Sequence, residues 1–194
     1  MTRLILGSGS PRRKEILNFF DIPFEQATSH FDEDSVEFNK DPAEYAICLS
    51  RGKARALQEK YPNDIILTAD TVVYKSGKIY NKPKDVDEAF QFLTDLQGQW
   101  HSVFTAICVV KGNEEYHAWE ETKVLFNALS PEEIRHYHKK VHWSDKAGGY
   151  AIQMGAGLIV NKIDGCFYNV MGLPINAMRH VLKHFDIELW DFVR

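Results

Sequence analysis

Residues 4–17 constrain this chain more than any other stretch. Leu4, Ile5 and Leu6 form a short apolar run, and Gly7, Ser8, Gly9 and Ser10 follow as turn formers. Pro11 suits the first position of a helix, because its absent N–H needs no partner there. Ser10 is then the expected N-cap. The spacing therefore predicts strand, tight loop and helix, the repeating unit of an α/β fold. Such a junction aims free backbone N–H groups and the positive end of a helix dipole at one spot. Ser8 and Ser10 add hydroxyls there, and Arg12 and Arg13 add two permanent cations with planar donor forks. The combination suits a polyphosphate. It is neither of two familiar phosphate loops: the Walker lysine is absent, and Gly7 and Gly9 lack the third glycine of the dinucleotide fingerprint. A plain strand–helix turn with two solvated arginines is the alternative these residues leave open.

The chain has 194 residues, which predicts a single domain over 1–194, or two small lobes sharing a sheet. Its net charge of −4 gives no overall footprint for nucleic acid. Any phosphate site must concentrate positive charge locally. No apolar run has the length of a membrane span, and no signal peptide is apparent, so no membrane partner is expected. Cys48, Cys108 and Cys166 are isolated and form no CxxC pair. That usage fits reduced thiols and a cytoplasmic protein.

Further along, Asp32, Glu33, Asp34 and Glu37 make an acidic stretch, either a solvated loop or a source of oxygen ligands for a hard divalent cation. Asp41, Pro42 and Glu44 signal a helix start with a capping box. Within that helix Lys53 stands beside Arg51, small Ala54 and Arg55, so it lies on an exposed basic face or points into a cleft. Residues 65–69 read as a buried strand that ends at Asp70 and Thr71. A carboxylate there is costly to bury unless paired or metal-bound, which makes Asp70 the leading catalytic candidate. Ligands of α/β sheets gather at the carboxyl ends of strands, the edge where the loop after Leu6 should also lie. Lys82, next to Pro83 in an extended segment, is surface charge or a phosphate contact.

Residues 85–96 read as an amphipathic helix with Ala89, Phe90, Leu93 and Leu96 inward. Residues 100–110 and 116–125 read as two long strands of a hairpin. Ser130 and Glu133 form a second capping box. His138 and His142 stand four apart, a zinc-binding spacing, but no further ligands surround them and the zinc-protease glutamate is absent. From Asp145 to Gln153, two glycines sit between a charged pair and an apolar strand, a place where backbone can approach a ligand closely. The Gln153 amide both donates and accepts, which suits reading the edge of a base. Residues 158–163 and 166–168 read as a hairpin around Asp164 and Gly165, with Asn169 opening the last helix.

Taken together these motifs resemble the Maf family of nucleoside triphosphate pyrophosphatases over nearly the whole chain. Ser8, Ser10, Pro11, Arg12 and Arg13 match the family's opening motif. Glu33 matches its acidic-loop glutamate, Lys53 its helix lysine before an alanine, and Lys82 its Lys-Pro. Ala69, Asp70, Thr71 and Val73 match its strand motif, and 145–153 its glycine-containing run. One departure stands at Met154, where members usually carry glycine, and it bears on loop flexibility near the base pocket. The resemblance implies a long twisted mixed sheet with flanking helices and two lobes around a cleft, similar to inosine-triphosphate pyrophosphatases. It implies cleavage of a nucleoside triphosphate to monophosphate and pyrophosphate by metal-assisted attack of water on the α-phosphorus. Asp70, Glu33, Lys53 and Lys82 are then the catalytic set. Ser8, Ser10, Arg12, Arg13, Thr71 and Gln153 bind substrate. Glu33 and Asp70 hold the Mg²⁺ or Mn²⁺. Thr71 and Gln153 match the branch acting on dTTP and UTP; the 7-methyl-GTP branch carries glutamine and glutamate instead. Two alternatives remain: a pyrophosphatase for 7-methyl-GTP or other modified nucleotides, and a non-catalytic nucleotide-binding regulator of septum formation. A homodimer fits because long strands leave edges for a second copy to cover.

Overall fold

The computed structural model describes residues 2–194 apart from the side chain of Met154, so the departure from the family pattern lies outside the described residues. The described residues form one mixed seven-stranded sheet in the order β2-β1-β3-β5-β6-β7, with β4 also on β3. Strands β1 (Leu4–Gly7), β2 (Phe24–Ala27) and β3 (Ile65–Lys75) run parallel. Strand β4 (Lys78–Tyr80) folds back on the far end of β3. Strands β5 (Trp100–Lys111) and β6 (Glu114–Phe126) make the expected long hairpin, and β7 (Val160–Asp164) closes the other edge.

Side chains alternate across a strand, so β3 serves two layers. On one face Leu67 and Ala69 pack with Ile107 and Val109 of β5 beneath α1 (Pro11–Leu17) and α6 (Ile175–Leu182). Further along that face Val73 and Val103 pack beneath α3 (Val86–Leu96) and α4 (Pro131–Lys140). On the other face α2 (Pro42–Gln58) lays Ala46, Leu49, Ala54 and Leu57 over Ile66, Val72, Ala106 and Cys108. Each fully buried Leu, Ile or Val contributes about 1.5–3 kcal/mol, and this burial holds the layers on the sheet. The two apolar clusters of the first face are separated by one polar pair, Thr71 of β3 directly across from Thr105 of β5.

The ladder of β3 is continuous toward β5 but broken on its other side. Pairing with β1 ends at Leu67, and pairing with β4 begins at Val73. Asp70 therefore lies in the middle of an 11-residue strand rather than at its end. What ends there is the neighbouring strand, and the gap it leaves is the opening above Asp70.

Other local expectations change in the folded chain. The Ser10 backbone is extended at the N-cap, but its side chain makes no cap bond. Asp41 caps α2 by accepting from the Ala43 and Glu44 N–H groups, whereas its own N–H donates to Asn39 Oδ1 instead of closing a capping box. Ser130 and Glu133 do form a complete box. On α3, Phe92 takes the buried position and Phe90 is only half-buried, beneath the Arg135 guanidinium. Residues 151–153 are irregular rather than a strand. After β7 there is no hairpin: Gly165 turns the chain into a short helix, α5 (Phe167–Met171). A three-residue apolar run does not distinguish strand from helix, and here packing chose helix. Gly172 ends α5 in the left-handed region at φ 107°, and α6 starts only after Pro174. No helix among the described residues is long and apolar enough to cross a membrane.

Candidate active site

A cavity of about 320 Å³ occupies the gap beside β3. Its walls are the loop after β1, the middle of β3, the acidic segment and residues 145–152. Because Asp70 and Thr71 are consecutive, they point to opposite faces of the sheet, and the cavity draws chemistry from both.

On the α2 side, Lys53 is only 7% exposed and donates to Asp70 Oδ1, itself on a residue 6% exposed. The same Nζ lies 3.2 Å from Glu33 Oε1, and Lys82 approaches that oxygen to 3.8 Å from the cavity mouth. Glu33 stands in a single 3-10 turn, Glu33–Ser35, capped by Asp32. Phe31, just before it, packs against α2 at Gly52, where a Cβ would fall 2.3 Å from the ring. That glycine lets the acidic segment sit low enough for Glu33 to reach Lys53. Burial alone would raise the Glu33 carboxyl, but Lys53 and Lys82 outweigh it and hold its pKa below the usual carboxylate range.

On the α1 side, Arg13 is tied down at three points. Its Nε donates to the Gly172 carbonyl oxygen at 2.7 Å, Nη1 to Ser8 Oγ at 3.1 Å and Nη2 to Thr71 Oγ1 at 3.2 Å. Desolvation lowers its pKa and Asp70 opposes that shift, and a guanidinium remains cationic throughout the physiological range. Ser8 Oγ also accepts the Ser10 N–H, so its own proton is left to donate. Arg12 pairs with Asp145, through Oδ2 at 2.8 Å and the main-chain oxygen at 3.2 Å. Lys146 sits 2.5 Å from Asp145 Oδ1. Burial would raise the Asp145 carboxyl, but its bonds from Lys146 and Arg12 hold it low.

Cationic Arg12, Arg13, Lys53, Lys82 and Lys146 thus face acidic Glu33, Asp70 and Asp145 in one cavity. Its excess is positive although the chain is net negative. Ser8, Ser10 and Thr71 line the same space. Gln153 does not: its Nε2 donates to Glu15 Oε2 at 3.1 Å on the exposed side of α1. His138 and His142 part company, the first bonding the Gly149 carbonyl and the second Ser144 Oγ. Sequence reasoning passed over Asp145 and Lys146, although both stand in the motif it singled out. It also passed over Gly172, whose signal is a glycine two residues before a proline, the pattern of a helix stop.

Glu33 and Asp70 fit a divalent cation in one particular way. No group of three His, Cys, Asp or Glu side chains converges among the described residues. Two carboxylates completed by phosphate oxygens are, however, the donor set Mg²⁺ commonly takes.

A mixed seven-stranded sheet with helices on both faces defines an α/β protein. The solved Ham1 protein of Staphylococcus aureus superposes over 95% of this chain and 100% of its own with a TM-score of 0.51, at 15% identity. The α/β class and mixed sheet expected above are therefore borne out. Within that class the chain belongs to the Maf family: the Maf-like protein family matches residues 3–185. It is 46% identical to the dTTP/UTP pyrophosphatase of Chlamydia caviae over 98% of each chain. It is also 46% identical to the dTTP/UTP pyrophosphatase of Pyrococcus furiosus, over 90% of this chain and 91% of that one.

Proposed function

We propose that this chain hydrolyses dTTP and UTP to the nucleoside monophosphate and pyrophosphate. One observation carries the reading: a buried aspartate, Asp70, shares a single cavity with cations delivered from both faces of the sheet. The triphosphate lies along Arg12, Arg13, Lys53 and Lys82, whose charges count for more in this enclosed site than in water. Arg12 leaves Asp145 for a phosphate oxygen. Asp70 is the general base: Oδ1 is held by Lys53, and Oδ2 takes the proton of the attacking water. The water oxygen bonds to the α-phosphorus, the bond to the oxygen bridging the α and β phosphorus atoms breaks, and pyrophosphate leaves with the negative charge. Glu33 and Asp70 would hold Mg²⁺ or Mn²⁺, which supplies further charge neutralisation and orients the phosphates. Thr71, and Gln153 once freed from Glu15, take part in substrate choice. The two apolar clusters flanking the Thr71 and Thr105 pair are read as two lobes of one domain, working in the cytoplasm.

Pyrophosphate release from a panel of nucleoside triphosphates, with and without Mg²⁺, tests the reading. We expect dTTP and UTP to turn over fastest and only with the divalent ion. Faster turnover of 7-methyl-GTP would reassign the substrate. No release from any nucleotide would favour a nucleotide-binding regulator instead.

A further inference from the structure

We propose that Thr105, outside the cavity and without contact to any substrate group, is a positioning residue that sets the direction of the Arg13 guanidinium through Thr71. The inference rests on the phosphate-binding role given to Arg13 above.

Thr105 is fully buried and lies directly across from Thr71 in the β3–β5 ladder. Its Oγ1 donates to the main-chain oxygen of Asn169 at 2.8 Å. A threonine hydroxyl has one proton, so toward Thr71, 2.9 Å away, it can only accept. Thr71 must therefore donate to Thr105, which turns its lone pairs to Arg13 Nη2 at 3.2 Å. The chain of bonds has a single direction: Arg13 to Thr71 to Thr105 to Asn169.

The far end of that chain is fixed. Asn169 is fully buried, and its Nδ2 donates to the Val103 carbonyl and to Thr122 Oγ1, both at 2.9 Å. Its main-chain oxygen also accepts the Gly172 N–H at 3.0 Å, and Gly172 presents its own carbonyl to Arg13 Nε. Two of the three supports of the guanidinium thus return to Asn169, one through two threonine hydroxyls and one through the turn that ends α5; the third is Ser8. A guanidinium has five N–H groups, and the three contacts described above leave one on each Nη for a phosphate. Removing the Thr105 hydroxyl frees Thr71 to rotate, and Arg13 Nη2 loses a fixed acceptor while the cavity wall stays intact.

The test is a double-mutant cycle of Thr105→Val and Thr71→Val, read by kcat and KM for dTTP and by calorimetric affinity for inorganic pyrophosphate. Thr105→Val should lower kcat/KM about 5–10-fold, mostly in kcat, and weaken pyrophosphate binding by a similar factor, the size expected for one hydrogen bond. In the Thr71→Val background the same change should cost less than about twofold, since residues acting in series are not additive. Thr105→Ser, which keeps the hydroxyl but loses the methyl, should restore activity even where its melting temperature falls with that of Thr105→Val. Equal losses in both backgrounds, or a Thr105→Ser variant as impaired as Thr105→Val, would overturn the proposal. If the parent protein binds pyrophosphate without hydrolysing dTTP, the substrate reading fails, and the pyrophosphate cycle alone decides this one. A parent that binds no pyrophosphate overturns both.

Discussion

Lys53 is where the two acids of the cleft meet, with one ammonium serving Asp70 and Glu33. Truncating one partner of a buried pair leaves the other uncompensated, at a cost of about 3–5 kcal/mol. Lys53→Met should therefore lower both the urea midpoint and turnover, and a variant with parental stability would show that the pair is not needed for folding. Asp70→Asn is a milder change in shape. It should reduce turnover by at least about 10²-fold, the scale of general-base catalysis, while pyrophosphate affinity measured by calorimetry without added divalent ion changes little. Near-normal turnover of the asparagine variant would remove Asp70 from the role of base. These residues were legible in the sequence because each is polar in a setting that tolerates polar groups only with a partner: Asp70 after an apolar run, Lys53 beside Ala54. Gln153 was legible as a residue but not as a position. The direction of an exposed amide depends on what stands next to it, and Glu15 is 138 residues away along the chain.

Elements bring those side chains together through contacts that local patterns do not record. The acidic turn reaches Lys53 because the tip of the Phe31 ring rests on α2 at Gly52. Alanine is the better helix former by about 1 kcal/mol, so Gly52→Ala would stabilise an isolated helix. In this protein it should displace Phe31, carry Glu33 away from Lys53 and lower kcat/KM roughly tenfold, with the far-ultraviolet circular dichroism unchanged. Unchanged kinetics would mean that the turn is placed by something else. The hairpin of β5 and β6, the helix starts at Pro42 and Pro131, and the strand–loop–helix opening were all readable, because each carries a local turn or capping signal. The region after β7 was not. Its short apolar run has no period of its own, and its helix exists because Asn169 and Gly172 are held by Thr105 and Thr122 from distant strands and by Arg13 from α1.

Across the whole molecule, stability and chemistry should separate with pH. His101 is 3% exposed, bonded to the Tyr150 hydroxyl, and burial lowers its pKa from 6.5 to about 4. Between those values the unfolded chain binds a proton that the folded chain refuses. The neutral His101 therefore contributes its full stability above about pH 6.5 and loses it as pH falls toward 4, by up to about 3 kcal/mol. His138, lowered by burial as well, acts in the same direction. The urea midpoint should drop between pH 7.5 and 4.5, and the drop should shrink in His101→Phe; an equal drop in that variant would place the effect elsewhere. The chemistry depends instead on where the cleft sets the triphosphate, with Asp70 beside the α-phosphorus and the cations along the rest. Hydrolysis of dTTP in ¹⁸O-labelled water, with both products read by mass spectrometry, tests that arrangement most directly. The label should appear in dTMP and be absent from pyrophosphate, whereas label in pyrophosphate, or release of orthophosphate in its place, would contradict it.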